Sequence, residues 1–204
     1  AAQGRVFACS AAVGGGAPVL ETVERLAASG AGLVRARGVL NGTSNFVLDR
    51  LLRGEPLESA VQAAQTAGFA EADPSADLDG VDAANKLVLI ARSAWRVELD
   101  PAAVEAQSIR DLTPAVIAQA RAAGRVLRQV ATVSRGPAGV RTRVRLDALA
   151  ADDALARTRD EGNCVSLTPE RGAQVIVSGK GAGRAPTAAS VAGDLGRLVR
   201  RLNQ

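Results

Sequence analysis

The sequence predicts an α/β (α+β) fold, a mixed β-sheet covered by helices, and three observations carry that expectation. Segments with apolar residues at helical spacing alternate with short β-branched runs, and glycine or Asn-Gly turns separate them. The chain has 204 residues, 47% of them hydrophobic and 23% charged, which is enough to enclose one substantial core. No internal repeat is visible, and no linker rich in Pro or Ser divides the chain.

Residues 5–9, Arg-Val-Phe-Ala-Cys, read as a short strand entering the turn Gly14-Gly15-Gly16. Pro18 suits the first position of a helix through about Ala28, because that position needs no N–H; Val19, Val23, Leu26 and Ala27 form its apolar face. Residues 33–40 are β-branched and leucine-rich and stop at Asn41-Gly42, a strand followed by a turn. Helices over 44–53 and 57–67 come next, the second ended by Gly68. An acidic loop, 70–79, leads into a helix from Val81 to Trp95, and a second long helix is expected from Pro114 to about Val133. Val and Arg alternate over 140–146 as in a half-exposed strand, and 164–167 with 173–177 complete a set of four or five strands. The chain closes with the glycine turn Gly179 to Gly183 and a helix over 187–202.

Composition excludes several chemistries. With no histidine, the chain has no Ser-His-Asp triad, no Cys-His pair and no imidazole acid-base. Cys9 and Cys164 match no metal spacing and read as reduced thiols packed in the core, which points to a reducing, cytoplasmic compartment. No apolar run approaches the roughly 20 residues of a membrane span, so no membrane partner is expected. The net charge of +4 comes from 23 Arg and 2 Lys scattered along the chain with 2% aromatics, so no nucleic-acid partner is expected either. The chain begins with Ala and contains no Met, and we read it as a piece of a longer protein.

Two constellations carry chemistry. Glu71, Asp73, Asp77, Asp79 and Asp82 fall within twelve residues, and carboxylates that close repel one another unless a cation or a substrate amine offsets them. A calcium loop counted from Ser75 through Asp77, Asp79 and Gly80 would place Lys86 where a bidentate Glu is required, so that reading fails. A solvated loop capping the next helix is the plain alternative. Asp82 and Lys86 are spaced i, i+4 on that helix, and such pairs are mostly exposed bridges worth about 0.3–0.5 kcal/mol. Here the residues that follow, Leu87-Val88-Leu89-Ile90-Ala91, are apolar all round, so the lysine stands where the helix enters the core. Burial and a carboxylate partner act in opposite directions on an amine's proton affinity, the balance that suits acid-base work. In a chain whose basic residues are Arg 23 times out of 25, an ammonium at this place suggests that a guanidinium, which cannot release its proton, would not serve. Gly14-Gly15-Gly16 is not a dinucleotide fingerprint, since the third glycine would fall at Val19, and Gly179-Lys180-Gly181-Ala182-Gly183 does not match a P-loop.

Four stretches together resemble homoserine dehydrogenase. They are Ala12-Val13-Gly14-Gly15-Gly16-Ala17-Pro18, then Gly38-Val39-Leu40-Asn41-Gly42-Thr43-Ser44-Asn45-Phe46, then the run from Ala64-Gln65 through Gly68-Phe69-Ala70-Glu71-Ala72-Asp73-Pro74 and Asp77 to Gly80-Val81-Asp82-Ala83-Ala84-Asn85-Lys86, and last Gly179 to Ala188. The resemblance implies a catalytic-domain-like fold of that family and reversible hydride transfer between L-homoserine and L-aspartate 4-semialdehyde with NADP(H) or NAD(H), on the route to threonine, isoleucine and methionine. It implies Lys86 as proton donor to the aldehyde oxygen, with Asp82 orienting it. Glu71, Asp82 and Asp77 would hold the substrate's amino and hydroxyl ends, Gly42 and Thr43 would add backbone and hydroxyl contacts, and Gly68, Glu71 and Gly183 would approach the cofactor. A monovalent cation, Na+ or K+, is implied on Ser10, Val13, Gly15 and Ala17, although Ser10 stands where the family has a glutamate. The resemblance further implies a homodimer formed through the sheet, a catalytic and dimerisation domain over 1–178, and a segment 179–204 that packs on a nucleotide-binding domain and otherwise exposes an apolar face. The alternative is a non-catalytic paralogue or subunit that keeps the fold for binding or assembly.

Overall fold

The computed structural model describes residues 8–181 and 183–202. Its strands are β1 (Arg35–Val39), β2 (Glu105–Ala106), β3 (Arg125–Gly136), β4 (Gly139–Ala150), β5 (Gly162–Thr168) and β6 (Val175–Lys180), joined in one sheet of order β2-β4-β3-β1-β5-β6. β2 runs parallel to β4 and every other pairing is antiparallel, so the sheet is mixed. The helices are α1 (Val19–Ala28), α2 (Gly42–Leu51), α3 (Leu57–Thr66), α4 (Ser75–Leu78), α5 (Val81–Trp95), α6 (Pro114–Ala122) and α7 (Arg184–Leu202). Among the described residues no helix is long and apolar enough to cross a membrane.

Side-chain alternation gives the sheet two unlike faces. On one, Ala36, Ala131, Val133, Val144, Val165 and Leu167 pack with Val19 and Val23 of α1 and with Leu87 and Ile90 of α5. Each buried Val, Leu or Ile among them contributes about 1.5–3 kcal/mol, and the Trp95 indole ties the end of α5 to the sheet by donating to the Leu33 carbonyl at 2.7 Å. On the other face, Val39, Val130, Leu149 and Cys164 are covered by Leu155 and Ala156 of the β4–β5 connection. A third cluster, Val47, Ala60, Ala64, Leu78 and Ile109, joins α2, α3 and α4 beside the sheet.

One long helix expected over 114–133 is corrected to a helix and a strand. α6 stops at Ala122, Gly124 follows with φ +63°, and Arg125 begins a twelve-residue strand. Gly124 is the left-handed stop that an alanine-rich reading passes over, and β3 is fixed by pairing along its whole length with β4 around the turn after Gly136. The strand expected over 173–177 runs from Val175 to Lys180, so Gly179 and Lys180 are strand rather than turn. Pro18 is the N-cap of α1 and not its first residue. Of the strand expected over 5–9, residues 5–7 lie outside the described residues, and Ala8 and Cys9 run irregularly into a 3-10 turn, Ser10–Ala12. The acidic loop contains the helical turn α4, which the sequence does not announce.

Candidate active site

Three segments distant in sequence meet at the end of β1. The first is the exit of β1, where Asn41 caps α2: its Oδ1 accepts the Ser44 N–H at 2.7 Å. That commits the Asn41 amide group to face the other way, and its two N–H donors go to Asp77 Oδ1 at 2.6 Å and Asp82 Oδ2 at 2.8 Å. Every hydrogen-bonding position of this side chain that the geometry assigns is thus in use, and the orientation of the amide follows from it.

The second segment is the start of α5. Gly80 sits at its N-cap with φ +79°, and a Cβ there would stand 3.1 Å from Val144 and 3.2 Å from Gln129, so the turn needs glycine for both conformation and space. The turn aims the first two turns of α5 at the β1 exit. Lys86 Nζ donates to the Leu40 carbonyl at 2.7 Å and to Asp82 Oδ2 at 2.6 Å. Its side chain is 17% exposed and that of Asp82 32%. An ammonium has three donors, and two are taken here, which leaves one for a ligand.

The third segment, the end of α3 and the loop into α4, forms the outer rim. Thr43 Oγ1 donates to the Phe69 carbonyl at 2.5 Å, and Phe69 packs on Phe46 with ring centroids 5.0 Å apart, so the rim is tied to α2. Exposed Asp73 is held below the usual carboxylate range by the hydroxyl and backbone N–H of Ser75. Asp79 does not enter the cavity: it accepts from Ser108 and Arg110 on the far side.

These segments enclose a cavity of about 440 Å³. Of the residues singled out in the sequence, Gly42, Thr43, Gly68, Glu71, Asp77, Asp82 and Lys86 line it, and Gly183 does not; Gly181, two residues earlier, takes that place. Sequence reasoning missed Asn85 and Glu161 as lining residues and read Asn41 only as a turn marker. Asn85 follows Asp82 by three on one helix face, a spacing that could have found it. Nothing local points to Glu161, which arrives through the backbone bond from Gly181 N–H to the Glu161 carbonyl at 3.1 Å. Lys180, the second lysine, is exposed and lies 3.6 Å from Glu161. Five carboxylates, those of Glu71, Asp73, Asp77, Asp82 and Glu161, line the cavity with one ammonium, so it suits a ligand that brings positive charge. Gly68, with nothing within 4 Å of where a Cβ would stand, leaves an open edge that fits the flat ring of a nicotinamide, whereas so many carboxylates do not fit the phosphates of a dinucleotide.

The cation site expected on Ser10, Val13, Gly15 and Ala17 does not fit the residues present. Ser10 Oγ donates to Asp194 Oδ1 at 2.6 Å and its N–H to Asp194 Oδ2 at 3.0 Å, while the Arg197 guanidinium bonds both Ser10 and Asp194. The Gly15 carbonyl accepts from Ser190 Oγ at 2.6 Å and the Ala17 carbonyl from the Val19 N–H at 2.8 Å. A second cation about 4 Å from a fixed guanidinium would be repelled by about 4 kcal/mol at an effective dielectric of about 20. Among the described residues no three His, Cys, Asp or Glu side chains gather around a metal position. Gly15 instead serves close packing, since its φ is +59° and a Cβ would stand 2.3 Å from the Gly181 carbonyl oxygen.

Comparison with known proteins agrees with this geometry. A homoserine dehydrogenase of Bacillus subtilis is 31% identical over 193 residues, covering 94% of this chain and 44% of its own. The crystal structure of a homoserine dehydrogenase from Thiobacillus denitrificans superposes with a TM-score of 0.85 at 28% identity, over 91% of this chain and 43% of that one. A hyperthermophilic archaeal homoserine dehydrogenase in complex with NADPH superposes at 0.80 and 26% identity, over 94% and 55%. The chain therefore spans about half the length of the proteins it matches, or less. The homoserine dehydrogenase family model matches residues 18–195, and the chain belongs to that family.

Proposed function

We propose that this chain is the catalytic portion of a homoserine dehydrogenase, an oxidoreductase that reversibly reduces L-aspartate 4-semialdehyde to L-homoserine with NADPH or NADH, on the way to threonine, isoleucine and methionine. One observation carries the reading: a half-buried ammonium, held by Asp82 and the Leu40 carbonyl, keeps a free donor at the wall of a carboxylate-lined cavity.

The bound nicotinamide supplies the hydride to the aldehyde carbon. Lys86 donates its proton to the oxygen as the C–O bond becomes single, and returns as an amine that accepts the hydroxyl proton in the reverse direction. Asp82 orients the ammonium and stabilises its charged form, and Asn41 fixes Asp82 in turn. Glu71 and Asp77 hold the substrate's ammonium, while the first two N–H groups of α2, at Gly42 and Thr43, are free of helical partners and can take its carboxylate or oxygen. Gly68 and Gly181, with Glu71, stand nearest the nicotinamide in this reading, Gly181 taking the place expected of Gly183.

Residues up to Lys180, the end of β6, form the catalytic and dimerisation unit of a cytoplasmic homodimer in this reading, and α7 packs on a nucleotide-binding domain. In support, Val191, Leu195 and Val199 are exposed four residues apart on α7. The test is semialdehyde-dependent oxidation of NADPH by the full protein and by Lys86→Ala. Loss of turnover in the variant with the fold intact supports the assignment, and unchanged turnover sinks it. A well-folded full protein with no turnover favours the binding subunit instead.

A further inference from the structure

We propose that Asp194 and Arg197 of α7 are positioning residues for the Lys86 cavity. They hold the glycine loop 10–17 with an ion pair built into the chain, in the place where a bound monovalent cation would otherwise hold it, so turnover needs no such ion. Ser190, Asp194 and Arg197 follow one another by four and three residues, which puts them on one face of α7. That face grips the loop twice. Asp194 accepts the Ser10 N–H at 3.0 Å and the Ser10 hydroxyl at 2.6 Å, and Ser190 Oγ donates to the Gly15 carbonyl at 2.6 Å. Arg197 bonds Ser10 and Asp194 and reaches Glu21 of α1 at 3.5 Å, so one guanidinium ties α7, the loop and α1 together.

Ser10 and Asp194 are 6% and 7% exposed, and a carboxylate that deep in a protein is stable only beside a cation and hydrogen-bond donors, all of which the chain itself supplies here. The loop then meets the cavity wall directly. Gly16 N–H donates to the Lys180 carbonyl at 3.1 Å, and Gly15 leaves no room for a side chain against Gly181. Gly181 lines the Lys86 cavity and donates its N–H to the carbonyl of Glu161, which lines it too. A loop free to shift would carry Gly181 and Glu161 with it and loosen the substrate's seat, while Lys86, on α5 and tied to the Leu40 carbonyl, stays in place. The expected signature is a raised KM for the semialdehyde at nearly constant kcat. This role rests on the catalytic reading above, because substrate affinity is what the loop controls; the ion pair itself is read separately by thermal unfolding.

Steady-state kinetics and thermal unfolding of the full protein, in sodium, potassium or tetramethylammonium chloride at matched ionic strength, test it. Wild-type kcat and KM should agree within about 2-fold across the three salts, and the melting temperature should not follow the cation. Arg197→Ala leaves Asp194 and Glu21 without their shared counter-charge, so KM should rise about 5-fold or more with kcat within about 3-fold. Millimolar guanidinium chloride should recover most of that loss, which a merely destabilised protein would not show, since the ion is a denaturant. Ser10→Ala strands no charge and should raise KM about 2-fold to 3-fold, so it tests the loop even if Arg197→Ala fails to fold. A wild type without semialdehyde turnover would sink the catalytic reading, and unfolding then decides the ion pair alone: the Asp194→Asn/Arg197→Ala double variant should lose less melting temperature than its two single variants together. Additive losses, an unchanged KM in Arg197→Ala, or wild-type turnover raised about 5-fold or more by Na+ or K+ overturns the proposal.

Discussion

Two cation–carboxylate pairs in this protein look alike in contact distance and differ in everything that decides their use. Lys86 and Asp82 meet at 2.6 Å on the wall of a cavity, each partly in water. Arg128 and Asp49 meet at 2.9 Å with side chains 1% and 9% exposed, and Arg128 adds bonds to the carbonyls of Leu127 and Ala156. Burial pulls Arg128 below its ordinary range, and Asp49 pushes it back. The buried pair joins α2 to the sheet and does not line the Lys86 cavity, and its guanidinium cannot release a proton under any ordinary condition. The partly exposed pair holds a group that can. Contact length therefore says little about role; water access, a spare donor and the choice of ammonium over guanidinium say most.

Four experiments break or sharpen that contrast. The largest effect on stability is expected from Asp49→Ala, which strands the Arg128 charge and should cost about 3–5 kcal/mol in denaturant unfolding, with most of it recovered when Arg128→Met is added. A loss under about 1 kcal/mol would show that the pair is not what anchors α2. Next, Lys86→Ala in the full protein should lower kcat about 100-fold or more while shifting stability by about 1 kcal/mol or less. Lys86→Arg should be nearly as slow, because it keeps the charge and loses the transferable proton; a fast Lys86→Arg enzyme would turn the lysine into a mere charge.

Asn41→Ala should cost about 1 kcal/mol through the lost N-cap of α2 and raise KM, since nothing then separates Asp77 from Asp82. Unchanged KM would take Asn41 out of the site. The smallest effect is chemical. Cys164 lies in the cluster beside Arg128, and burial pushes its thiol up despite the Thr158 hydroxyl, so labelling of the native protein should be slow. Asp49→Ala should speed that labelling and Lys86→Ala should not, which separates a structural pair from a functional one by a single reagent.

Much of the frame was legible locally. Gly68 and the apolar spacing of α1 and α5 announce their elements, because caps and faces are set by neighbours a few residues away, whereas Asn41-Gly42, expected as a turn, is the N-cap and first residue of α2. β3 was not legible. Its alanine-rich approach favours helix, and only twelve paired residues of β4 make extension the better choice. In the site, the acidic run and the Asp82–Lys86 spacing were visible, but the sequence left open whether that pair was a surface bridge. The Leu40 carbonyl, 46 residues away, settles the lysine's position. The partners of Ser10 were hidden for a similar reason, as Asp194 and Arg197 arrive from α7, more than 180 residues downstream.

The sequence by itself determined which chemistry was available: no imidazole, one ammonium among apolar neighbours, and a run of carboxylates that needs a positive ligand. Those are properties of residue type and near spacing. Only the tertiary structure decided which carboxylates face the cavity, that Asn41 holds two of them together, and that Glu161 joins them. Each of these depends on where strands and loops far apart in the chain come to rest, and that is governed by packing and strand register rather than by the residues on either side.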